Sequence, residues 1–445
     1  GRSRDCARAA RGAGSVIGPR ADSASAPSAD RPIGADTSVR DAKRILFLSD
    51  VYCPRVNGVS TSIQTFRAEL AALGHESVLV APNYPGRQDC DANVVRVASR
   101  YVPLDPEDRA MRWGGLQETL SKLRHEPFDL VHVQTPFLAH YAGVRFARER
   151  GLPCVATYHT LFEEYLHHYL PLLPAGVTRA LARRFSRSQC NELDAVIAPS
   201  TVMRETLLAY GVTRPIAIIP TGIGPSEFAR GDGVRFRGRH GIAQDRPVLL
   251  FVGRVAHEKN IEFLLGVHAR VKATCPGVLL VICGEGPALR ALKHRSAALG
   301  LGGDVRFVGY LDRTSELPDC YRAADLFVFA SKTETQGLVL LEAMAAGTPA
   351  VALAAMGTRD VLRNGAGARI APDSEQGFAE QVLALLADPQ ARRALAATCA
   401  PYAAEWEARE MAKRLERFYQ EICTDSPASP PAAQGSISPL ARRRS

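Results

Sequence analysis

The sequence predicts an α/β protein built on two doubly wound parallel sheets, and three observations predict it. Short apolar strands alternate with helical stretches across Gly- and Pro-rich turns over residues 43–401. Such alternation is what parallel strands joined by crossover helices require. The cadence runs to Pro220 and restarts at Pro247, so it describes two sheets. A chain of 445 residues is also too long for one hydrophobic core.

The elements follow in order. Residues 44–49 (RILFLS) read as a buried strand and 50–60 (DVYCPRVNGVS) as a turn. Residues 63–73 have helical period, ended by Gly74. Strands follow at 76–81 (ESVLVA), 130–134 (LVHVQ) and 154–158 (CVATY), with a helix at 138–150 between the last two. Strands 195–199 (AVIAP) and 216–220 (IAIIP) close this half. The second half begins with strand 247–253 (PVLLFVG), then helix 260–273, strand 278–283, helix 287–299 and strand 305–308. Strand 326–330, helix 337–346 and strand 349–353 complete it. A helix over 402–421 carries Tyr402, Trp406, Met411, Leu415, Phe418 and Tyr419, apolar groups suited to packing back across the first half. The expected domains are therefore 43–222 with this returning helix, and 223–401, the boundary lying within 221–236. Residues 1–42 and 424–445 are low in complexity and are expected to be disordered.

Residues 1–44 carry a net charge of +4 and 424–445 one of +2, so most of the formal charge of +9 lies towards the two ends. The body is only mildly cationic, which suits an anionic ligand. No aromatic-plus-basic recognition motif accompanies it, so nucleic acid is not an expected partner. The ten cysteines contain no CxxC pair and read as buried free thiols of a reducing compartment. No apolar run approaches the ~18 residues of a membrane span, and the first 44 residues lack the apolar core of a signal peptide. A cytoplasmic location is expected.

Ligands of open α/β sheets bind beyond the carboxyl ends of the strands, so the loops after the strands carry the candidates. The most informative is 326–349 (LFVFASKTETQGLVLLEAMAAGTP), where an apolar strand breaks into a polar loop and resumes as a helix. A helix N-terminus so placed offers free N–H groups and the positive end of its dipole to a phosphate. Glu334 and Glu342 flank that break and suit the hydroxyls of a sugar or ribose. After strand 247–253 come Arg254 and Lys259, two cations fit for a diphosphate leaving group. The alternative is a solvated cationic loop. Gly58, in Asn57-Gly58-Val59-Ser60, permits close backbone approach to an anion or serves a plain turn. His159 lies just past strand 154–158, beside Thr157 and Thr160. Gly284-Glu285-Gly286-Pro287 is an incomplete GxGxxG and reads as a tight turn with Pro287 opening a helix. Asp89-Cys90-Asp91 has the form of a metal–nucleotide triplet but follows no strand. His159, His167 and His168 lack supporting ligands, so no metal site is expected.

Taken together, the 57–60 turn, GRVAHEKN, GEGP and TETQGLVLLEAMAAGTP resemble glycosyltransferase family 4, of the GT-B superfold, over residues 43–421. The E-x7-E pair with Arg254 and Lys259 is the specific part. Phe commonly follows the first Glu by two in that family, whereas Gln336 stands here, a form that resembles the branch glycosylating lipids with glucose or mannose. The resemblance implies two Rossmann-like domains facing across a cleft and retaining transfer from a UDP- or GDP-sugar, with no metal or other cofactor. It implies that Arg254 and Lys259 bind the diphosphate, that Glu342 takes the ribose hydroxyls, and that Glu334 takes sugar hydroxyls. Backbone amides of Thr335, Gln336, Gly337 and Leu338 would touch sugar and phosphate. Gly58 would approach the diphosphate, and His159 would lie near sugar and acceptor. The catalytic set so implied is Glu334, His159, Arg254 and Lys259.

The acceptor is approached through 161–187, where an aromatic–aliphatic loop precedes a helix carrying Arg179, Arg183, Arg184 and Arg187. Two readings stand: a helix lying on an anionic membrane surface, making the protein peripheral on the inner membrane, and a solvated basic face. The expected acceptor is a lipid or a glycan. The alternatives to a transferase are a GT-B-like sugar-nucleotide epimerase and a non-catalytic nucleotide-sugar-binding protein.

Overall fold

Strand β1 (Arg44–Leu48) shows how the first half is built. Ile45 and Phe47 enter one apolar cluster and Leu46 and Leu48 another, as the two-residue period of a strand buried on both faces dictates. The computed structural model describes residues 42–55, 57–85, 91–102, 105–159 and 175–425. In the first half, strands β2 (Glu76–Pro82) and β3 (Val94–Val97) precede a hairpin, β4 (Ser99–Val102) and β5 (Asp105–Met111). Strands β6 (Leu130–Val133), β7 (Cys154–Thr157), β8 (Ala195–Ala198) and β9 (Ile216–Ile218) follow. Its helices are α1 (Gly58–Ala72), α2 (Trp113–Lys122), α3 (Leu138–Arg150), α4 (Ala175–Asn191) and α5 (Thr201–Ala209). Among the described residues the sheet has the order β3-β2-β1-β6-β7-β8-β9, and every pairing is parallel.

The second half holds α6 (Pro225–Ala229), α7 (Gly233–Arg239), β10 (Val248–Val252), α8 (Ile261–Thr274), β11 (Leu279–Cys283) and α9 (Leu289–Ala298). It continues with β12 (Val305–Gly309), α10 (Glu316–Arg322), β13 (Leu326–Phe329), α11 (Leu338–Ala345), β14 (Ala350–Ala352), α12 (Thr358–Val361) and β15 (Ala368–Ile370). Helices α13 (Glu375–Ala387), α14 (Pro389–Ala397), α15 (Cys399–Ala404) and α16 (Ala408–Asp425) end the described chain. The strand order is β12-β11-β10-β13-β14-β15, again all parallel. Both sheets reverse their winding beside their first strand, at β1/β6 and at β10/β13. That reversal opens a crevice at the carboxyl ends of those strands.

Several sequence expectations change in detail. The first helix begins at Gly58, because Asn57 caps it: Asn57 Oδ1 accepts from Ser60 N at 2.8 Å. Pro287 does not open its helix, which starts at Leu289 after Ala288. The expected helix at 402–421 is two helices, α15 and α16, broken at 405–407. Tyr402 and Trp406 pack into the second half, and only Met411, Leu415, Phe418 and Tyr419 cover the first. Each of those four contributes on the order of 1.5–3 kcal/mol of burial, enough to hold α16 in place. Two buried polar contacts fix its register. His75 Nδ1 accepts from Lys43 N at 3.0 Å, so Nε2–H donates to Glu416 at 3.1 Å. Tyr419 Oη meets His132 Nδ1 at 2.6 Å.

The chain crosses between the halves at two places, and the crossings pair with each other. Ile223 N donates to Trp406 O at 2.9 Å, and Ala408 N to Ile223 O at 2.8 Å. A Cβ at Gly222 would stand 2.4 Å from Ala408 Cα, so the contact requires glycine. Beyond the crossings, Thr201 N at the start of α5 donates to Asp360 Oδ2 of α12 at 2.5 Å. The described cysteines are free, and five of them are buried. No helix among the described residues is long and apolar enough to cross a membrane.

Candidate active site

At the winding reversal of the second sheet, β10 and β13 lie side by side and their loops meet. Strand β10 ends at Val252, and Arg254 follows Gly253, half-buried. A single turn, His257–Lys259, then delivers Lys259 to the loop after β13. Lys259 Nζ donates to Glu334 Oε1 at 2.5 Å, with both side chains only 17% exposed. Asn260 ends that turn in the left-handed region, φ 56°, and its Nδ2 donates to Ala330 O at 3.1 Å. Asn is the non-glycine residue that best tolerates this conformation, so the Asn of GRVAHEKN is the pivot that aims Lys259. The glycines of GEGP serve close packing: Gly284 N donates to Gly309 O and Val255 N to Glu285 O, each at 2.8 Å. This rim ties the ends of β10, β11 and β12 together.

Glu342 lies one turn into α11, a helix buried on nearly every side. It is 2% exposed, and both oxygens have partners. Arg313 Nη1 reaches Oε1 at 2.7 Å, and Tyr321 Oη donates to Oε2 at 2.8 Å. Burial alone would lower the Arg313 guanidinium, but the Glu342 carboxylate beside it raises it. Burial, and then the same carboxylate, pushes the Tyr321 hydroxyl up. A buried carboxylate so held is fixed in orientation. The α11 N-terminus needs Gly337, whose φ is 97°.

In the first half, Gly58 is the first residue of α1, and an added Cβ there would meet nothing within 4 Å. Glycine at that position is therefore not demanded by the protein's own packing. His159 follows β7, and its Nε2 lies 2.9 Å from Gln134 Oε1 at the end of β6. As an acceptor, that oxygen places the proton on Nε2. Burial pulls His159 down to about 4. Burial, and then His159 nearby, pulls His132 down to about 3. Both imidazoles are neutral at neutral pH. Asp50, after β1, accepts from Thr135 Oγ1 at 2.7 Å and from Ala139 N at 3.1 Å, which caps α3.

These shifts set an acid limit on stability. An unfolded histidine titrates near 6.5, whereas His132, His159 and His268 titrate at about 3, 4 and 4 in the folded chain, chiefly through burial. Between those values the unfolded chain takes up protons that the folded chain refuses, so stability falls with pH. Asp50 acts in the opposite sense, raised by burial from 3.8 to about 6, but one group does not offset three. The urea midpoint should fall steadily from pH 7 to pH 4; a midpoint that rises toward pH 5 would contradict these environments.

Of the residues singled out in the sequence, Lys259 and Glu334 are in direct contact, Arg254 leaves the neighbouring strand, and Glu342 lies on α11, held by Arg313 and Tyr321. The side chain of Gln336 is engaged elsewhere. It is 5% exposed and is occupied by the first crossing, accepting from Thr221 N at 2.9 Å and donating to Thr221 O at 2.7 Å. A donor contact from Gln336 is thus left to its backbone. His167, His168, Asp89, Cys90 and the loop 161–174 lie outside the described residues. Asp91 pairs with Arg67 at 2.9 Å. Arg179, Arg183, Arg184 and Arg187 are exposed on α4, with Leu181. Sequence reasoning missed Asn260, Arg313, Tyr321, Gln134 and Thr221. Only Asn260 carried a signal, as a left-handed residue between a turn and a helix.

The architecture and this constellation agree with what the chain is similar to. The family model described as Glycosyltransferase Family 4 matches residues 56–227, and that described as Glycosyl transferases group 1 matches 234–403. An alpha-monoglucosyldiacylglycerol synthase of Streptococcus pneumoniae is 34% identical over 69% of this chain and 70% of its own length. A GDP-mannose-dependent alpha-mannosyltransferase of Mycobacterium tuberculosis is 30% identical over 72% of this chain and 81% of its own. The sucrose-phosphate synthase structure from Thermosynechococcus elongatus superposes with a TM-score of 0.70 at 21% identity, covering 86% of this chain and 99% of that one, a likeness of fold. The chain therefore belongs to glycosyltransferase family 4, as a hexosyltransferase of GT-B fold.

Proposed function

We propose that this enzyme moves glucose or mannose from a UDP- or GDP-sugar to a lipid or glycan acceptor with retention of configuration, working at the cytoplasmic face of a membrane. The observation that carries the reading is the Lys259–Glu334 pair at the β10/β13 reversal, one loop from Arg254 and backed by the fixed Glu342. Two cations there neutralise charge on a departing diphosphate without a metal ion. Glu334 takes hydroxyls of the sugar, Glu342 those of the ribose, and the amides of 335–338 the sugar and phosphate. The α1 N-terminus at Gly58 adds main-chain donors from the first half. His159, neutral and with its proton toward Gln134, offers a hydrogen-bonding edge to sugar and acceptor. The C1–O bond to the diphosphate breaks, the acceptor oxygen bonds C1 from the same face, and its proton passes to the leaving phosphate. The names of the two curated relatives support the donor range, and that of the pneumococcal relative a lipid acceptor. The arginine face of α4 supports contact with anionic lipid.

Thermal denaturation with UDP, GDP, UDP-glucose, GDP-mannose and NAD, all in EDTA, tests the donor site. One nucleotide family should stabilise the protein, by ~2.7 kcal/mol at ~100 times its Kd. Stabilisation by NAD alone, or by none, would overturn the reading. Transfer assayed with anionic liposomes at low salt tests the acceptor. Transfer only to soluble acceptors, without liposome binding, would remove the membrane, and turnover of donor with water alone would indicate the epimerase class.

A further inference from the structure

Gln336, Thr221 and Ser62 form one buried chain of hydrogen bonds from the donor loop to helix α1. Gln336 holds both main-chain groups of Thr221 at 2.9 and 2.7 Å, and Thr221 Oγ1 donates to Ser62 Oγ at 2.8 Å. The three residues are 5%, 4% and 1% exposed. Each belongs to a different part of the machine. Gln336 lies between Thr335 and Gly337 in the loop after β13, Thr221 lies in the first crossing, and Ser62 is on the helix that begins at Gly58. The other side of the donor loop is fixed too. Gly357 N donates to Glu334 O at 2.8 Å, and a Cβ at Gly357 would stand 2.0 Å from Thr335 O. That side is held by Gly357, and the Gln336 carboxamide holds the side facing the crossing.

We propose that Gln336 is a positioning residue, which sets the donor loop of the second half in register with the α1 N-terminus of the first. The inference rests on the proposed function, in which the donor diphosphate takes contacts from both of those elements. A carboxamide suits the task where an apolar side chain does not. It pairs with both the N–H and the C=O of Thr221, a residue only 4% exposed. An error in register of about 1 Å between two groups that must act on one diphosphate costs turnover on the order of 10²-fold. It costs ground-state binding much less, because each half retains its own contacts.

The test uses the full chain with Gln336→Ala, Gln336→Glu and Ser62→Ala. Glutamate keeps the shape and the acceptor for Thr221 N but loses the donor to Thr221 O, so it serves where alanine fails to fold. Expected for either Gln336 variant is a fall in kcat of about 10-fold or more, with the Kd for the nucleoside diphosphate changed by less than about 3-fold. Ser62→Ala should lower kcat alone but add nothing in the Gln336→Ala background, since both interrupt one chain. Equal loss in Kd and in kcat/KM would make Gln336 a plain donor contact and overturn the proposal, as would full additivity with Ser62→Ala. Hydrogen exchange at the Thr221 amide, without any nucleotide, supplies a readout that no assay of transfer can affect. It should be protected in the wild type and released by about 10-fold or more in Gln336→Ala. Unchanged protection would overturn the clasp even in a chain that transfers sugar. Released protection in Gln336→Ala, with a wild-type chain that itself transfers no sugar, would refute the proposed function and leave the clasp standing.

Discussion

Lys259→Ala should lower turnover by about 10²-fold or more, the scale of losing one preorganised charge donor at a site of developing charge. Two effects add. The ammonium that would meet the departing diphosphate is gone, and the Glu334 carboxylate, 17% exposed and paired at 2.5 Å, is left without that partner. A half-buried carboxylate without its cation is repelled by a diphosphate instead of being screened from it. Arg254→Ala should fall by a similar factor. Lys259→Arg is not a mild change, since a planar fork replaces a point charge held by the Asn260 pivot. Steady-state rates at saturating donor measure all three. A rate for Lys259→Ala equal to wild type would remove the diphosphate assignment from this loop.

Glu342→Ala should raise the donor KM more than it lowers kcat, if ribose is held equally in ground and transition states. The structure adds a second expected effect, on stability. Removing the carboxylate leaves Arg313 and Tyr321, the latter 0% exposed, without the group that satisfies them. Arg313 is 30% exposed, so water takes up part of that loss, and leaving the Tyr321 hydroxyl unpaired costs about 1–3 kcal/mol, a loss of a few degrees in Tm. Glu342→Gln separates the two roles. It keeps the shape and an acceptor for Tyr321 while removing the charge that faces Arg313. A Glu342→Ala protein with native Tm, or one with reduced kcat and unchanged KM, would contradict the arrangement.

The particular elements explain what could be read in advance. Strands such as β10, with all five residues of VLLFV buried, announce themselves because parallel strands are covered on both faces. The hairpin β4–β5 did not: DPEDRAM has no apolar alternation, and its pairing comes from its neighbour Ser99–Val102. Helices α13 and α14 were missed although Ser374 and the Asp388-Pro389 pair mark their starts. Glu334, Lys259 and Arg254 were legible because the chemistry of a diphosphate demands cations at a strand end. The partners that hold them were not. Arg313 lies 29 residues before Glu342 in sequence, Gln134 lies 25 before His159 and Gln336 115 after Thr221. Long-range hydrogen bonds of this kind leave no periodicity. Gln336 is the instructive case: its place in TETQG marked it as part of the donor loop, and only the packing assigns its side chain to the crossing.

The returning helix α16 also bears on how the protein is made. Its Met411, Leu415, Phe418 and Tyr419 close one face of the first sheet, yet they leave the ribosome after the whole of the second half. The second half, from Ile223 to Ala404, is synthesised and can complete its own core before the first half receives its final layer. During that interval Ile45, Phe47, Leu79 and Ile197 have no cover from α16. The order of assembly thus inverts the order of synthesis: the half that is translated first is finished last. That waiting apolar face, beside the strand edge of β3, is the part of the nascent chain most in need of a chaperone.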